Sequence, residues 1–460
     1  MRILLVTSFF PPTHTAGTEK RTLGYAKTLL ELGHSVQVLC AGEWDQGESY
    51  WNGYTDEVFQ GVPVRRIHLN WSKSPDPNGY LYNNPQTAQF LAQCLGKWKT
   101  DVVHITSCLT LSASIIATVK EHNLPVVLTL TDFWFVCHKL SLLKYDGSLC
   151  DGITTSYECI QCLCWNSSAY QKLKKISSAS VATGAFEALS KIPAANRQRG
   201  LRGMALDIAQ RKNYLTAVLN AADVVTAPSN HLCQTLRHSG IGREIRVIQS
   251  GHDLSWLSET VDKSSSKRVR FGYIGQFIPT KGVHVLLEAF GKQDWQGKAE
   301  LHLFGNPNGN PAYWQKLQQI ENCNPEAVFF HGAFPHEKLG EVLNGLDVLI
   351  VPSLWHENNP RVIQEAFASK TPVIASNVGG IAEYIEHDRS GWLFERDSAE
   401  DLYRRMQNLV DQPETLGSLS NQMPNVKSIR DEMEEFIYIY STCRRRENDG
   451  ESLHKYSSSG

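Results

Sequence analysis

Asp347–Gly391 reads DVLIVPSLWHENNPRVIQEAFASKTPVIASNVGGIAEYIEHDRSG. Val348 to Val351 is an unbroken apolar run, which predicts a strand buried on both faces of a parallel sheet. A turn-rich segment follows, and Pro360 stands where a helix begins. Proline is tolerated there because the first helical N–H has no intrahelical partner. The helix is expected from about Arg361 to Ser369, with Pro372-Val-Ile-Ala375 as the next buried strand. The stretch is one βαβ unit, and its polar loop lies at the carboxyl end of the first strand, where open α/β sheets bind ligands.

Two carboxylates frame that loop, Glu357 before the helix and Glu365 in its second turn. A carboxylate accepts two hydrogen bonds side by side, which suits a vicinal diol such as a ribose. The helix N-terminus between them offers free N–H groups and partial positive charge, which suits a phosphate. On helical spacing, however, Val362, Ile363, Ala366 and Phe367 form the apolar stripe, and Glu365 falls at its polar edge beside Arg361. Taken alone, Glu365 reads as a solvated surface acid, and spacing does not separate the two readings.

Earlier in the chain, Val269-Arg-Phe-Gly-Tyr-Ile274 is expected as a strand, followed by Gly275-Gln-Phe-Ile-Pro-Thr-Lys281-Gly282 and a helix from about Val283 to Phe290. A glycine-flanked turn, a lysine and a helix start form a diphosphate clamp in outline. Positive charge there stabilises a leaving group that gains negative charge as the bond to it breaks. A solvated lysine is the plain alternative.

Glutamates eight positions apart in ENNPRVIQE ahead of AFA, with PVIAS and GG-x-x-E after them, resemble the donor-site signature of glycosyltransferase family 4. The resemblance covers roughly residues 1–445 and is strongest from Phe271 to Phe394. It implies an α/β protein of the GT-B kind: two Rossmann-like domains facing each other across a cleft, with a C-terminal helix crossing back to the N-terminal domain. It also implies a retaining, nucleotide-sugar-dependent enzyme that needs no metal for catalysis. In that family the residue matching Glu365 holds the ribose hydroxyls and the one matching Glu357 lies by the transferred sugar. Backbone amides of the residues between them, here Asn358, Asn359, Pro360, Arg361 and Val362, approach the diphosphate. Lys281 matches the family's lysine, whereas Gln276 stands in place of an arginine, so Arg361 is expected to compensate. The segment that meets the base falls around Ala333-Phe334.

In the first half, residues 2–10, about 19–32 and 35–40 are expected as strand, helix and strand. The loop THTAGTE between the first two elements places Gly17 where a backbone can approach a ligand, although a tight turn explains it equally. The family carries two glycines in this loop, and only Gly17 matches. Residues 43–60 show little periodicity and read as a surface excursion. Strands are expected at 62–69, 101–106 and 125–131. The family's histidine near acceptor and donor sugar is replaced by Thr131, which leaves Asp132 as the polar candidate at that strand end. A cap is the structural reading of Asp132.

Cys137, Cys150, Cys159 and Cys162 fall close together, the last two as C-x-x-C. That spacing allows a four-cysteine structural zinc site, stapling an insert at about 137–165 that could not bury a core of its own. A disulfide and free buried thiols are the competing readings. Residues 168–220 form basic, helix-forming stretches that read as solvated faces or as a peripheral membrane contact.

The domain plan expected from this reading has five parts. These are residues 1–254 as the N-terminal acceptor-side domain, 255–268 as a linker, 269–424 as the nucleotide-sugar domain, 425–445 as the crossing helix and 446–460 as a disordered tail. At 460 residues with 42% hydrophobic and 20% charged content, the chain has ample core. A net charge of −2 gives no electrostatic case for nucleic acid. Eleven cysteines, behind an N-terminal apolar run that Pro11-Pro12 cuts short, point to a reducing, cytoplasmic compartment.

The expected activity is transfer of a sugar from a nucleotide sugar, UDP- or GDP-linked, to an acceptor hydroxyl in polysaccharide or glycoconjugate synthesis. The acceptor is a glycan or a lipid-linked one. Lys281, Glu357 and Asp132 are the expected catalytic residues. A nucleotide-sugar epimerase, a glycosyl phosphorylase or a non-catalytic nucleotide-sugar binder are the alternatives on the same architecture.

Overall fold

A computed structural model describes residues 1–190, 201–259, 266–321, 326–420 and 422–457. The chain divides into two compact units. The first holds Met1–Pro228, Leu232–Gln249 and the segment from Ile429 onward; the second holds Ser229–His231 and Ser250–Ser428.

The first unit is built on an eight-stranded sheet ordered β3-β4-β2-β1-β5-β6-β7-β8. Its strands are β1 (Arg2–Val6), β2 (Ser35–Trp44), β3 (Trp51–Phe59), β4 (Val62–Leu69), β5 (Val102–Ile105), β6 (Val126–Thr129), β7 (Val224–Ala227) and β8 (Arg246–Val247). All neighbours pair in parallel except β3, which runs antiparallel to β4. Alternate residues of β1 feed two cores. Leu4 and Val6 pack with α2 (Pro85–Lys97) and α3 (Ser114–Glu121), while Ile3 and Leu5 pack with α1 (Gly17–Glu31) and the last helix.

Segment 43–60 departs from the expected surface excursion, because it holds the end of β2 and all of β3. β3 is an edge strand with most of both faces exposed, so its sequence carries no apolar alternation from which to read it. Its aromatic and β-branched residues nonetheless suit a strand.

The cysteine insert also differs from expectation. Helices α4 (Ser156–Cys164), α5 (Ser168–Ile176), α6 (Ala179–Ser190) and α7 (Leu201–Ala221) bury a small core of Ile160, Cys164, Tyr170, Ala182, Phe186 and Ile208. The stretches that read as solvated faces supply the apolar partners the insert lacks alone. Part of that basic run, 191–200, lies outside the described residues.

After α8 (Asn230–His238) and β8 the chain enters the second unit at Ser250, a six-stranded parallel sheet ordered β11-β10-β9-β12-β13-β14. The strands are β9 (Val269–Ile274), β10 (Ala299–Phe304), β11 (Val328–Gly332), β12 (Val348–Val351), β13 (Val373–Ser376) and β14 (Gly391–Phe394). Helices α9 (Val283–Phe290), α10 (Pro311–Glu321), α11 (Leu339–Asn344), α12 (Arg361–Ala368), α13 (Ile381–Tyr384), α14 (Ala399–Asp411) and α15 (Glu414–Ser420) connect them. β9 and β12 lie side by side, and the strand order reverses between them. A sheet of this kind opens a crevice at the carboxyl ends of those two strands.

The last helix, α16 (Ile429–Ser457), buries Met433, Phe436, Ile439 and Tyr440 in the first unit. Glu432 accepts from the Arg21 guanidinium and from Tyr25 Oη, and all three side chains are buried. The helix continues through 446–457, where a disordered tail is expected from the sequence. Arginine and glutamate there favour a helix, which a reading for apolar period alone misses. Within the expected linker, Ser255–Glu259 is a 3-10 turn, and 260–265 lie outside the described residues.

Candidate functional site

Loops 275–282 and 352–360 leave the carboxyl ends of β9 and β12. Gly282 has φ 69°, and a Cβ there would stand 1.8 Å from the Pro352 carbonyl oxygen. Only glycine lets these two loops close on each other, and Leu354 N–H completes the join by donating to Thr280 O at 2.8 Å.

The result is that Lys281 reaches Glu357. Lys281 Nζ donates to Glu357 Oε1 at 2.5 Å, Ser353 Oγ donates to the same oxygen at 2.9 Å, and Trp355 Nε1 at 3.1 Å. Burial would push the Glu357 carboxyl up, but Lys281, with the bonds from Ser353 and Trp355, outweighs it and holds the group below its usual range. A buried carboxylate is kept ionised beside an ammonium, and both point into a strand-end loop.

The diglycine has a parallel role. Gly379 has φ 56°, and a Cβ on Gly380 would meet Glu357 O at 2.6 Å. The loop after β13 therefore packs on the backbone of 356–358, and Gly380 N–H donates to Glu357 O at 2.8 Å. Asn358 is buried, and Asn359 Oδ1 accepts from Tyr384 Oη at 3.3 Å.

Pro360 sits at the N-cap of α12, one residue earlier than its expected place, and no side chain caps that helix. Its first-turn N–H groups at Arg361 and Val362 supply the partial positive charge expected for an anion. Ile363, Ala366 and Phe367 are buried as expected, with Val362 only half-buried. Glu365 is paired with Arg361 across one turn at 3.7 Å.

Gln276 is exposed, and its carbonyl accepts from Tyr273 Oη at 2.8 Å. Phe334 lies edge-on to Phe304 at 5.6 Å, and Phe304 stacks on His331 at 4.4 Å, so the ends of β10 and β11 carry an aromatic wall. Lys281, Glu357, Asn358 to Val362 and Glu365 thus occupy the two braced loops and the helix they lead into. Ser353, Trp355, Tyr384 and His331 are residues that sequence reasoning missed. Their only signal was position: Ser353 and Trp355 in the turn-rich segment before Pro360, His331 at a strand end and Tyr384 in the short helix after β13.

Two expected residues belong to the first unit. Gly17 is the exposed first residue of α1, whose N-cap, Ala16, has no side-chain bond to offer. Asp132 follows β6 and accepts from Trp134 N–H at 2.8 Å, a turn cap where no helix begins. It lines a small cavity with Thr106, Ser107, Thr131 and Trp134. Burial pushes its carboxyl up to about 6, against the pull of the Trp134 N–H and Arg211.

The four cysteines expected to share zinc do line one pocket, below a hairpin bridged at Leu143 and Leu149. Yet among the described residues no three His, Cys, Asp or Glu side chains are placed to hold a metal ion. Burial pushes the thiols of Cys150, Cys159 and Cys162 up. Cys159 pairs with Thr154 Oγ1 at 3.1 Å, and Cys162 donates to Leu143 O at 3.9 Å. The ten described cysteines are all free, which also sets the disulfide reading aside for them.

Comparison with known proteins gives the family. Residues 258–426 match the family model of glycosyl transferases group 1, and 16–150 match that of a glycosyl transferase 4-like domain. A D-inositol 3-phosphate glycosyltransferase of Rhodococcus jostii is 28% identical over 208 residues, 42% of this chain and 45% of that one. The chain thus spans about half the length of such curated relatives. A glycogen synthase of Mycobacterium tuberculosis is 22% identical over 90% of this chain and 87% of its own.

Among solved structures, Anabaena HepE in complex with UDP and glucose superposes with a TM-score of 0.61 at 16% identity, covering 96% of this chain and 99% of that one. Sucrose-phosphate synthase of Thermosynechococcus elongatus gives 0.61 at 16%, covering all of both chains. These neighbours share the fold, two parallel-sheet α/β domains of the GT-B kind. No described helix is long and apolar enough to cross a membrane. With family models matched over residues 258–426 and 16–150, this chain belongs to the group 1, family 4 glycosyltransferases.

Proposed function

We propose that the protein transfers a sugar, with retention at the anomeric carbon, from a nucleotide sugar to an acceptor hydroxyl. The observation that carries this reading is the Lys281–Glu357 pair beside the uncapped start of α12, at the switch point of the second sheet. The diphosphate lies against Lys281 and the first-turn N–H groups, with Arg361 adding charge where Gln276 brings none. Glu357 positions the sugar hydroxyls, Glu365 takes the ribose diol, and Phe334 with its aromatic neighbours flanks the base.

The acceptor oxygen attacks from the face the diphosphate leaves. The bond from the anomeric carbon to the phosphate oxygen breaks, and that oxygen takes the acceptor's proton. Protein cations carry the leaving charge, so the scheme uses no metal. Asp132 in the first unit orients the acceptor hydroxyl. The ten free cysteines support a reducing, cytoplasmic setting, and the acceptor class is a glycan or a lipid-linked glycan.

A screen of the purified chain against UDP-, GDP-, ADP- and CDP-sugars tests this. A ligand that binds only the native state adds about 2.7 kcal/mol of stability at a hundred times its Kd. One donor that both raises Tm and is slowly hydrolysed is the expected result. Sugar isomerisation without acceptor, or phosphate-dependent cleavage, would replace transfer with epimerase or phosphorylase chemistry. No response to any of them would overturn donor binding at Glu357 and Glu365.

A further inference from the structure

At the outer edge of the first unit's sheet, β3 carries an irregularity with consequences. Trp51 pairs with Leu69 and Tyr54 with Ile67, so three steps on β3 match two on β4. The extra residue is a bulge, and Gly53 within the segment has φ 84°. In a regular strand, residues three apart point to opposite faces. Here Trp51 and Tyr54 point to the same one, and both lie against Phe90 of α2, with ring centroids 4.9 and 5.1 Å apart.

The Arg65 guanidinium covers the other side of the Tyr54 ring at 4.4 Å and is itself held by Asp56 at 2.7 Å. Both rings are thus fixed in place, yet Tyr54 remains 48% exposed.

Facing them, α2 presents Gln86, Gln89 and Gln93, spaced three and four apart and so aligned along one helix face with Phe90. These residues line an open groove of ≈ 390 Å³, within the roughly 300–1,000 Å³ usual for ligand sites. No lining residue carries a charge. Gln86 Oε1 is buried with no hydrogen-bond partner among the described residues.

We propose that this groove binds a neutral oligosaccharide. A pyranose offers an apolar C–H face and a rim of hydroxyls that donate and accept. Aromatic rings on one wall take the face, and amide side chains on the other pair with vicinal hydroxyls. The absence of a lining cation disfavours anionic polymers, and the three amides exceed what a purely apolar partner would use. The groove lies in the first unit and the donor loops in the second, so the proposal stands apart from the transfer reading.

The test titrates the full chain by calorimetry with maltohexaose, cellohexaose, mannohexaose and galactohexaose, with hexagalacturonate as the charged control. At least one neutral probe is expected to bind with a Kd near millimolar. Trp51→Ala should weaken it tenfold or more, as should Gln89→Ala with Gln93→Ala, exposed positions whose loss leaves the fold intact. The thermal shift given by nucleotide sugars should not move. The proposal is overturned if none of the four neutral probes binds, or if these variants leave the affinity unchanged. It is also overturned if Trp51→Ala instead abolishes a concentration-dependent dimer built on the β3 edge.

Discussion

Lys281 and Glu357 are separated by 76 positions in the chain and by 2.5 Å in space. The pair exists because Gly282 lets its loop touch the Pro352 carbonyl, and because Ser353 and Trp355 turn the same carboxylate oxygen toward the lysine. A charge pair this well supplied with hydrogen bonds is held in one geometry before any ligand arrives. Such fixed charge is what stabilises a developing anion without reorganisation.

Replacing Lys281 by alanine should therefore lower kcat/KM about 10²–10³-fold, with the donor's thermal shift reduced as well. Ser353→Ala, which leaves Lys281 and Trp355 on Glu357, should cost far less. Near-normal turnover in Lys281→Ala, measured with the donor the screen identifies, would remove the lysine from the mechanism.

Arg361 is assigned the charge that Gln276 lacks. Arg361→Ala should cut turnover by about tenfold, the worth of one charged hydrogen bond. Adding Gln276→Arg to that variant should recover part of the loss. Steady-state kinetics on the three proteins checks this, and an Arg361→Ala enzyme with unchanged turnover sinks the compensation.

Glu365 pairs with Arg361 at 3.7 Å, and its role separates from that pair by substrate. If it holds the ribose, Glu365→Ala should weaken donor binding by about 1–3 kcal/mol. It should bind the 2′,3′-dideoxy nucleotide no worse than the parent enzyme does. An equal loss for both nucleotides would mean that Glu365 acts only through Arg361 and the helix.

Asp132 makes a prediction in pH. Its carboxyl is raised to about 6 by burial, so it is protonated in mild acid and ionised at neutrality. If the ionised form orients the acceptor hydroxyl, kcat/KM should rise as pH climbs through about 6. Asp132→Asn keeps the side-chain oxygen that caps Trp134 and should erase that limb, with a loss of about 10²-fold at neutral pH. A limb that persists in the variant belongs to another group.

The βαβ unit from Val348 to Ser376 and the helix at Val283–Phe290 were legible because parallel strands buried on both faces leave unbroken apolar runs. β3 was not, since an exposed edge strand has no buried face to impose a period. The core of the insert was hidden for a different reason. Tyr170, Phe186 and Ile208 lie among basic residues in helices that find their partners only in three dimensions. At the site, the lysine and glutamates were legible through resemblance, whereas Ser353 and Trp355 act through distances that no spacing rule contains. For the zinc expectation, C-x-x-C spacing brings four cysteines to one pocket, while among the described residues no three ligating side chains are placed around one ion.

A last prediction concerns how α16 holds to the first unit. His104 Nδ1 lies 2.6 Å from Tyr440 Oη, and its Nε2 lies 2.7 Å from Thr129 Oγ1, with the ring wholly buried. Burial, aided by the Arg21 charge, lowers its pKa to about 3. The unfolded chain takes up the proton near pH 6.5, and the folded one only near 3. Stability from the neutral ring is complete above about 6.5 and is lost as pH falls through that window, by up to about 1.4 kcal/mol per pH unit. His138, also lowered to about 3 by burial, adds a second slope of the same sign. Asp132 opposes them between its ordinary range and about 6, since the folded state binds its proton more tightly. Urea unfolding at pH 7.5, 6 and 5 should thus show falling stability, and His104→Gln should flatten the fall by roughly one proton's worth. An unchanged slope in that variant would mean that the ring is not held neutral against Tyr440 and Thr129.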